Sequence, residues 1–132
     1  MKKKQKSEIN DLLRTEISRA DMMGFDLLPT DSEVRYTDTG SAYGYCKRDR
    51  RGNCTIYLAK FMRKRHKKEI SAVLMHEVLH TLKDSRGHDK AWRDAVCQVK
   101  DTFSYGGYED CHLCEHPYSE NRPAPSKRKK SA

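Results

Sequence analysis

The stretch MHEVLHTLKDSRGH, residues 75–88, holds three of the chain's six histidines and a glutamate directly after the first of them. Residues four apart lie on one face of an α-helix, so His76 and His80 can present their imidazole nitrogens to one metal ion. Zinc suits such a pair, because it binds imidazole nitrogen at about 2.0–2.1 Å. Glu77 lies beside the site without being a ligand, where a carboxylate can act as general base and general acid. The pattern H-E-x-x-H therefore predicts a hydrolytic zinc centre.

The residues around this pattern predict the helix that would carry it. Apolar side chains recur at helical spacing at Ile70, Val73, Leu74 and Val78. The alternative interpretation is a solvated helix face that carries two histidines and a glutamate by coincidence. The amphipathic pattern favours the metal site, because it supplies the buried side that a zinc-binding helix requires.

A catalytic zinc site needs a third protein ligand besides the two histidines of the helix. His88 is the candidate, because Gly87 before it can take a positive φ and turn the chain back over the helix. Three aspartates are alternatives, either as ligands or as partners that orient an imidazole. They are Asp84, Asp89 and Asp94.

The rest of the chain predicts an α+β domain around this helix. An apolar stripe from Ser7 to Gly24 predicts an N-terminal helix, and a second stripe that begins at Asp89 predicts a helix behind the zinc helix. Alternating and β-branched residues within 33–58 predict a small, mostly antiparallel sheet of about three strands. Charged residues and a glycine at 47–53 predict a hairpin loop between the last two strands.

Length, charge and cysteine content narrow the class of protein. The chain has 132 residues, a formal net charge of +8 and five cysteines. We expect one soluble, cytoplasmic and monomeric domain, because the sequence has neither a secretory signal nor an apolar run long enough to span a membrane. The odd number of cysteines favours free thiols or metal ligands over a disulfide framework.

Basic clusters beside tyrosines suggest a second property. Tyr43, Tyr45 and Tyr57 lie near two such clusters, and stacked aromatic rings in a positive groove can bind single-stranded nucleic acid. The alternative is that the tyrosines pack the sheet and the charges are solvated. The candidate nucleic-acid contacts are Lys47, Arg48, Arg50, Arg51, Arg63, Lys64 and Arg65.

Taken together, these residues resemble the SprT-like zinc metalloprotease family. The likeness rests on H-E-V-L-H-T at 76–81, on Gly87-His88, and on Trp92 four residues later. Upstream, a Gly-x-Cys element at 44–46 and the segment I-Y-L-A-K-F-M at 56–62 are similar to the family's strands.

The resemblance covers roughly residues 7–105 and implies both a fold and a site. The fold is a minimal zincin-like fold, in which an N-terminal helix, a small sheet, the zinc-binding helix and a further packing helix follow one another. The site is a zinc ion held by His76, His80 and His88, with Glu77 as the catalytic general acid and base. Some members cleave proteins bound or crosslinked to DNA, so a protein or peptide substrate and DNA are the implied partners.

The chain departs from the family pattern at its end. Many members finish in a zinc ribbon with two C-x-x-C pairs, whereas this chain has one pair, Cys111 and Cys114. One pair does not close a four-ligand site, so we do not expect a second zinc ion there. We divide the chain into a basic disordered arm (1–6), a metalloprotease domain (7–110) and a basic tail (111–132).

The predicted function is therefore a zinc metalloendopeptidase that hydrolyses peptide bonds, acting on DNA-associated proteins. The alternative is a non-proteolytic module that binds nucleic acid or regulates a partner and keeps zinc for structure. Glu77 discriminates between the two, because a purely structural zinc site does not need a carboxylate beside its first ligand.

Overall fold

A computed structural model describes residues 3–85 and 87–113, apart from the side chains of residues 3–6 and of Cys111. This part of the chain forms an α+β fold, as the sequence predicts. Its helices are α1 (Lys3–Met22), α2 (Lys67–Leu79) and α3 (Lys90–Thr102), and its strands are β1 (Arg35–Thr37), β2 (Gly44–Arg48) and β3 (Cys54–Ala59). None of the described helices is long and apolar enough to cross a membrane.

The sheet has the order β1-β3-β2, so β3 lies in the centre. β2 and β3 form the predicted antiparallel hairpin, with Tyr45 opposite Tyr57. β1 pairs with β3 in parallel, so the sheet is mixed, with one pairing of each kind. Residues 38–43 pass the carboxyl end of β3 to reach β2 on its other side. Alternation of side chains predicts which residues form a strand, whereas it does not encode the order of the strands.

Helix α2 forms the centre of the core between the sheet and α1. Every residue of α2 from Glu69 to Leu79 is buried, because α1 covers one side of the helix and the inner face of the sheet covers another. Ile56 and Leu58 of β3 are fully buried on that inner face. The burial along β3 alternates, as expected for a strand with one face on the core.

Two boundaries differ from the prediction. α1 begins at Lys3 and not at Ser7, so residues 3–6 of the predicted disordered arm have a helical backbone. The predicted tail begins too early, because Glu109–Leu113 forms a helical turn that packs on α2 and buries Leu113 completely. We call Glu109–Leu113 the docked turn. The remainder of the predicted tail, 114–132, lies outside the described residues.

Candidate metal centre

The three predicted histidines meet at one point. His76 lies in the last turn of α2, His80 is the residue that ends this helix, and His88 lies in the connection to α3. The Nε2 atom of His88 lies 3.1 Å from Nε2 of His76 and 3.1 Å from Nε2 of His80. Among the described residues, these three histidines form the one group whose ligand atoms are close enough to hold a metal ion.

Hydrogen bonds on the far side of the rings fix which nitrogens face this point. Nδ1–H of His76 donates to the carbonyl oxygen of Leu113 at 2.9 Å, which leaves the lone pair of the neutral ring on Nε2. The His80 ring is hydrogen-bonded to the backbone of Gly87. The Nε2 atoms of all three histidines lie within ligand distance of one common point. The arrangement therefore fits a metal ion.

Burial disfavours the positively charged form of the His76 and His80 rings. It lowers the pKa of His76 well below 6.5, and the neighbouring His80 and His88 lower it further. Burial and then His88 lower the pKa of His80 to about 3. Both rings are consequently neutral near pH 7, which is the state in which imidazole binds a metal.

Glu77 lies beside the histidines and is 5% exposed. Its Oε2 atom is 3.9 Å from Nε2 of His76, too far for a hydrogen bond and close enough to share a small molecule between them. Burial raises the pKa of Glu77 to about 8. A divalent cation held by the histidines would lower the pKa of Glu77 and favour its ionised form. The ionised carboxylate is the form that can accept a proton.

The Trp92 ring packs against all three imidazoles and is 1% exposed. Its ring centroid lies 4.8 Å from that of His76, 5.3 Å from that of His80 and 4.4 Å from that of His88. Its Nε1–H also donates to the carbonyl oxygen of His76 at 3.3 Å. The sequence indicates a buried tryptophan on α3 through the helical stripe, but it does not indicate that the ring lies under the histidines.

The three alternative aspartates are not part of the histidine group. Asp89 caps α3, as predicted, by accepting from the backbone N–H of Trp92 at 3.1 Å, and it also accepts from the Ser85 hydroxyl at 2.9 Å. Asp94 forms an ion pair with Lys90 on the exposed side of α3. Asp84 is exposed in the connection between α2 and α3. Asp89 thus holds the start of α3, directly after His88.

A cleft of about 490 Å³ opens at the histidines, between α2 and β2. Two backbone hydrogen bonds of 2.9 Å show how the ends of the hairpin pair. At one end the Ala59 N–H donates to the carbonyl oxygen of Tyr43, and at the other the Asp49 N–H donates to the carbonyl oxygen of Asn53. Antiparallel strands pair through alternate residues, so the residues between these pairs direct their backbone N–H and C=O groups away from β3. Within β2 they are Gly44, Cys46 and Arg48, and all three line the cleft.

The predicted nucleic-acid contacts divide into separate groups. Lys47, Arg50 and Arg51 are exposed at and around the hairpin loop. Arg48 faces the cleft, where its Nη2 donates to the carbonyl oxygens of His80 at 3.1 Å and Leu82 at 3.2 Å. The remaining three, Arg63, Lys64 and Arg65, are exposed after the carboxyl end of β3.

A family model described as the SprT-like family matches residues 13–115. No curated protein matches the chain, and no solved structure matches it either. The matched segment contains the three histidines, Glu77, Trp92 and the docked turn.

Proposed function

Because the chain belongs to the SprT-like family, and because three imidazoles meet beside a buried glutamate, we propose that it is a zinc-dependent metallopeptidase. The observation that carries this proposal is the convergence of three Nε2 atoms next to Glu77 at the base of a cleft. Three histidines are a common ligand set of catalytic zinc, which keeps its fourth position for water or substrate. The three ligands and Glu77 thus provide both parts of a hydrolytic centre.

His76, His80 and His88 would hold the zinc ion, which supplies Lewis-acid chemistry to the scissile carbonyl when bound. Glu77 would accept the proton of the attacking water at Oε2, the oxygen that lies 3.9 Å from His76 Nε2. It would then deliver that proton to the nitrogen of the leaving amine. Trp92 fixes the orientation of the rings, because it contacts all of them.

The outer edge of β2, which pairs with no other strand among the described residues, supports a peptide as the substrate. Gly44, Cys46 and Arg48 border the cleft and direct backbone donors and acceptors away from β3. An extended peptide can pair with such an edge through its own backbone. A peptide in that position passes the histidines and Glu77, because they line the same cleft.

The test of the peptidase compares wild type with Glu77→Gln. We expect both proteins to bind one zinc ion at the histidines, whereas Gln cannot take a proton and cleavage falls by at least about a hundredfold. Glu8→Gln, an exposed position on α1, is the matched control and should cleave normally. The measurements are zinc content and cleavage of a labelled, DNA-bound protein with and without DNA. Full cleavage by Glu77→Gln would reject the proposed role.

We propose a second property, binding of single-stranded nucleic acid, for the face of the sheet that points away from α2. The rings of Tyr45 and Tyr57 stack there with centroids 4.6 Å apart and planes at 9°. Arg35 lies opposite Tyr57 on β1. Tyr45 is 41% exposed, which leaves ring surface for contact with a base. Tyr43, by contrast, lines the cleft and lies outside this face.

Positively charged side chains lie at both ends of this face. Arg50 and Arg51 follow β2 at the hairpin loop, and residues 63–65 follow the opposite end of β3. A six-residue strand such as β3 spans about 20 Å, so the stacked tyrosines lie midway along a track that phosphates can follow. This combination of aromatic rings and cations is typical of single-strand binding surfaces.

Anisotropy of a labelled single-stranded oligonucleotide tests this surface. Tyr45→Ala should weaken binding about tenfold, whereas Tyr45→Phe keeps the ring and should bind as wild type does. Arg50→Ala should weaken binding and lower its salt dependence, because it removes a phosphate contact. Equal affinity of wild type and Tyr45→Ala would exclude this face as the binding site. Binding of zinc and nucleic acid without cleavage of the bound protein would favour the non-proteolytic module.

A further inference from the structure

One buried carboxylate has no role in the proposed reaction. Glu69 lies seven residues before His76, and Glu69, Val73, His76 and His80 form one stripe along α2. Oε2 of Glu69 accepts from Nη1 of Arg65 at 2.7 Å and is 2.9 Å from Nε2 of His112. Glu69 is 6% exposed and His112 is 8% exposed. Such a buried pair must form good hydrogen bonds to be tolerated.

His112 belongs to the docked turn, which also contacts a proposed metal ligand. Leu113, the next residue, is fully buried and accepts at its carbonyl oxygen from Nδ1–H of His76 at 2.9 Å. The His112 ring packs nearly perpendicular to the Tyr43 ring, with centroids 4.3 Å apart. The backbone N–H of His112 donates to the carbonyl oxygen of Tyr108 at 3.0 Å. Two consecutive residues therefore bind α2 at two points.

The two points are well separated along α2. Glu69 and His76 are about 10.5 Å apart along the helix axis. The buried Leu113 and its contact with His76 hold the docked turn at one point, and the His112–Glu69 contact holds it at the other. Loss of the His112–Glu69 contact would therefore allow the Leu113 carbonyl to change its direction.

We propose that Glu69 and His112 are positioning residues for the metal site, acting through the Leu113 carbonyl on His76. The carbonyl selects the ring tautomer with its lone pair on Nε2, and partners of this kind set the orientation and basicity of a ligating imidazole. The inference rests on the proposed metal site and not on peptidase activity. A role limited to capping α2 near its N-terminus would stabilise the fold without changing metal affinity.

The experiment measures zinc affinity of the full chain by competition with a chromogenic chelator. Glu69→Ala and His112→Ala should weaken zinc binding by about 10- to 100-fold, the effect typical of losing a partner that orients a ligand. Glu69→Gln keeps an oxygen that accepts from His112, and should retain most of the affinity. The visible absorption of the Co²⁺-loaded protein should change in Glu69→Ala, because the angle of one imidazole changes.

Glu16→Ala is the matched control. Glu16 is also a buried glutamate, which accepts from the Tyr105 hydroxyl and from Arg19, and it lies on α1 outside the histidine group. Its loss should destabilise the fold comparably and leave the zinc affinity and the Co²⁺ spectrum of the folded protein unchanged. Circular dichroism establishes for each variant that the folded protein is measured.

The outcomes separate this inference from the proposed function. Wild-type affinity in Glu69→Ala and His112→Ala overturns the positioning role and leaves the metallopeptidase proposal intact. An equal loss in Glu16→Ala also overturns it, because the effect would then follow from general destabilisation. Wild-type protein that binds no zinc rejects the metal site itself.

Discussion

At the scale of single residues, Trp92 links the core to the candidate metal centre. Trp92→Ala removes a ring that is 1% exposed, and we expect it to lower the free energy of unfolding by about 3–5 kcal/mol. Trp92→Phe should lower the free energy of unfolding by less, because it keeps an aromatic ring against the imidazoles. Its remaining cost includes the lost hydrogen bond to the carbonyl oxygen of His76, worth about 1 kcal/mol.

Urea unfolding in the absence of zinc measures both Trp92 variants. Phe61→Ala is the control, because this aromatic ring is 43% exposed and its loss should cost much less. Equal destabilisation by Trp92→Ala and Phe61→Ala would contradict the supporting role of Trp92.

The buried Glu16 predicts a pH dependence of stability at the same scale. Burial raises its pKa above 4.5, so the folded protein holds this proton more tightly than the unfolded chain does. Its contribution to stability is therefore fully present below pH 4.5 and is lost as the pH rises through the folded pKa. We expect wild type to lose stability relative to Glu16→Gln over that interval, because Gln does not titrate.

Parallel urea titrations of wild type and Glu16→Gln at several pH values, in the absence of zinc, measure this difference. Every other titrating group is shared, so the difference isolates Glu16. A difference that stays constant from pH 4 to pH 8 would contradict the raised pKa.

Sequence spacing predicts some site residues and is silent about others for a physical reason. His76, Glu77 and His80 follow from the helical period, because ligands on one helix are neighbours in sequence. Leu113 contributes a backbone carbonyl, a group that every residue has, so its identity carries no signal. Glu69 and His112 are 43 positions apart, and only the packing of the docked turn brings them together.

At the scale of elements, local patterns predict α2, α3 and the β2–β3 hairpin, whose contacts are close in sequence. The parallel pairing of β1 with β3 does not follow from such patterns, because it depends on how residues 38–43 cross the sheet. The docked turn has the composition of a tail and too short a length for helical periodicity. Its helical form depends on packing against α2.

Gly44 gives a prediction for the hairpin. A β-carbon at this position would lie 2.5 Å from the carbonyl oxygen of Tyr57, so Gly44→Ala forces the backbones of β2 and β3 apart. We expect a loss of about 1–3 kcal/mol in the free energy of unfolding. Cleavage should fall as well, because β2 borders the cleft.

Urea unfolding and the cleavage assay together test Gly44→Ala. Lys47→Ala is the control, since this exposed residue lies on the same strand and its loss should change stability by less than about 0.5 kcal/mol. A Gly44→Ala protein as stable and active as wild type would show that β2 can move without cost.

At the scale of the whole molecule, one small sheet separates two proposed surfaces. Its inner face and the outer edge of β2 border the cleft beside α2, and its outer face carries the stacked tyrosines. A nucleic acid on the outer face would leave the cleft open. Tyr45→Ala and Glu77→Gln address these two surfaces separately.

Zinc removal is the prediction that involves the whole fold. The three proposed ligands join the end of α2 to the connection before α3, and His76 also contacts the docked turn. Because zinc would bind the folded chain in preference to the unfolded one, stability should rise by about 1.4 kcal/mol for each tenfold increase in free zinc above its Kd. Urea midpoints in metal buffers of defined free zinc measure this slope.

Two variants identify where the stabilising zinc binds. His80→Ala should abolish the slope, because it removes one of the three histidines that could hold the ion, whereas Glu77→Gln should keep it, because Glu77 does not belong to this group. A slope that persists in His80→Ala would place the stabilising zinc elsewhere in the chain. If the stability of wild type does not depend on free zinc, the premise of the metallopeptidase proposal is removed. If the slope is lost in Glu77→Gln and kept in His80→Ala, Glu77 is a zinc ligand and not the general base.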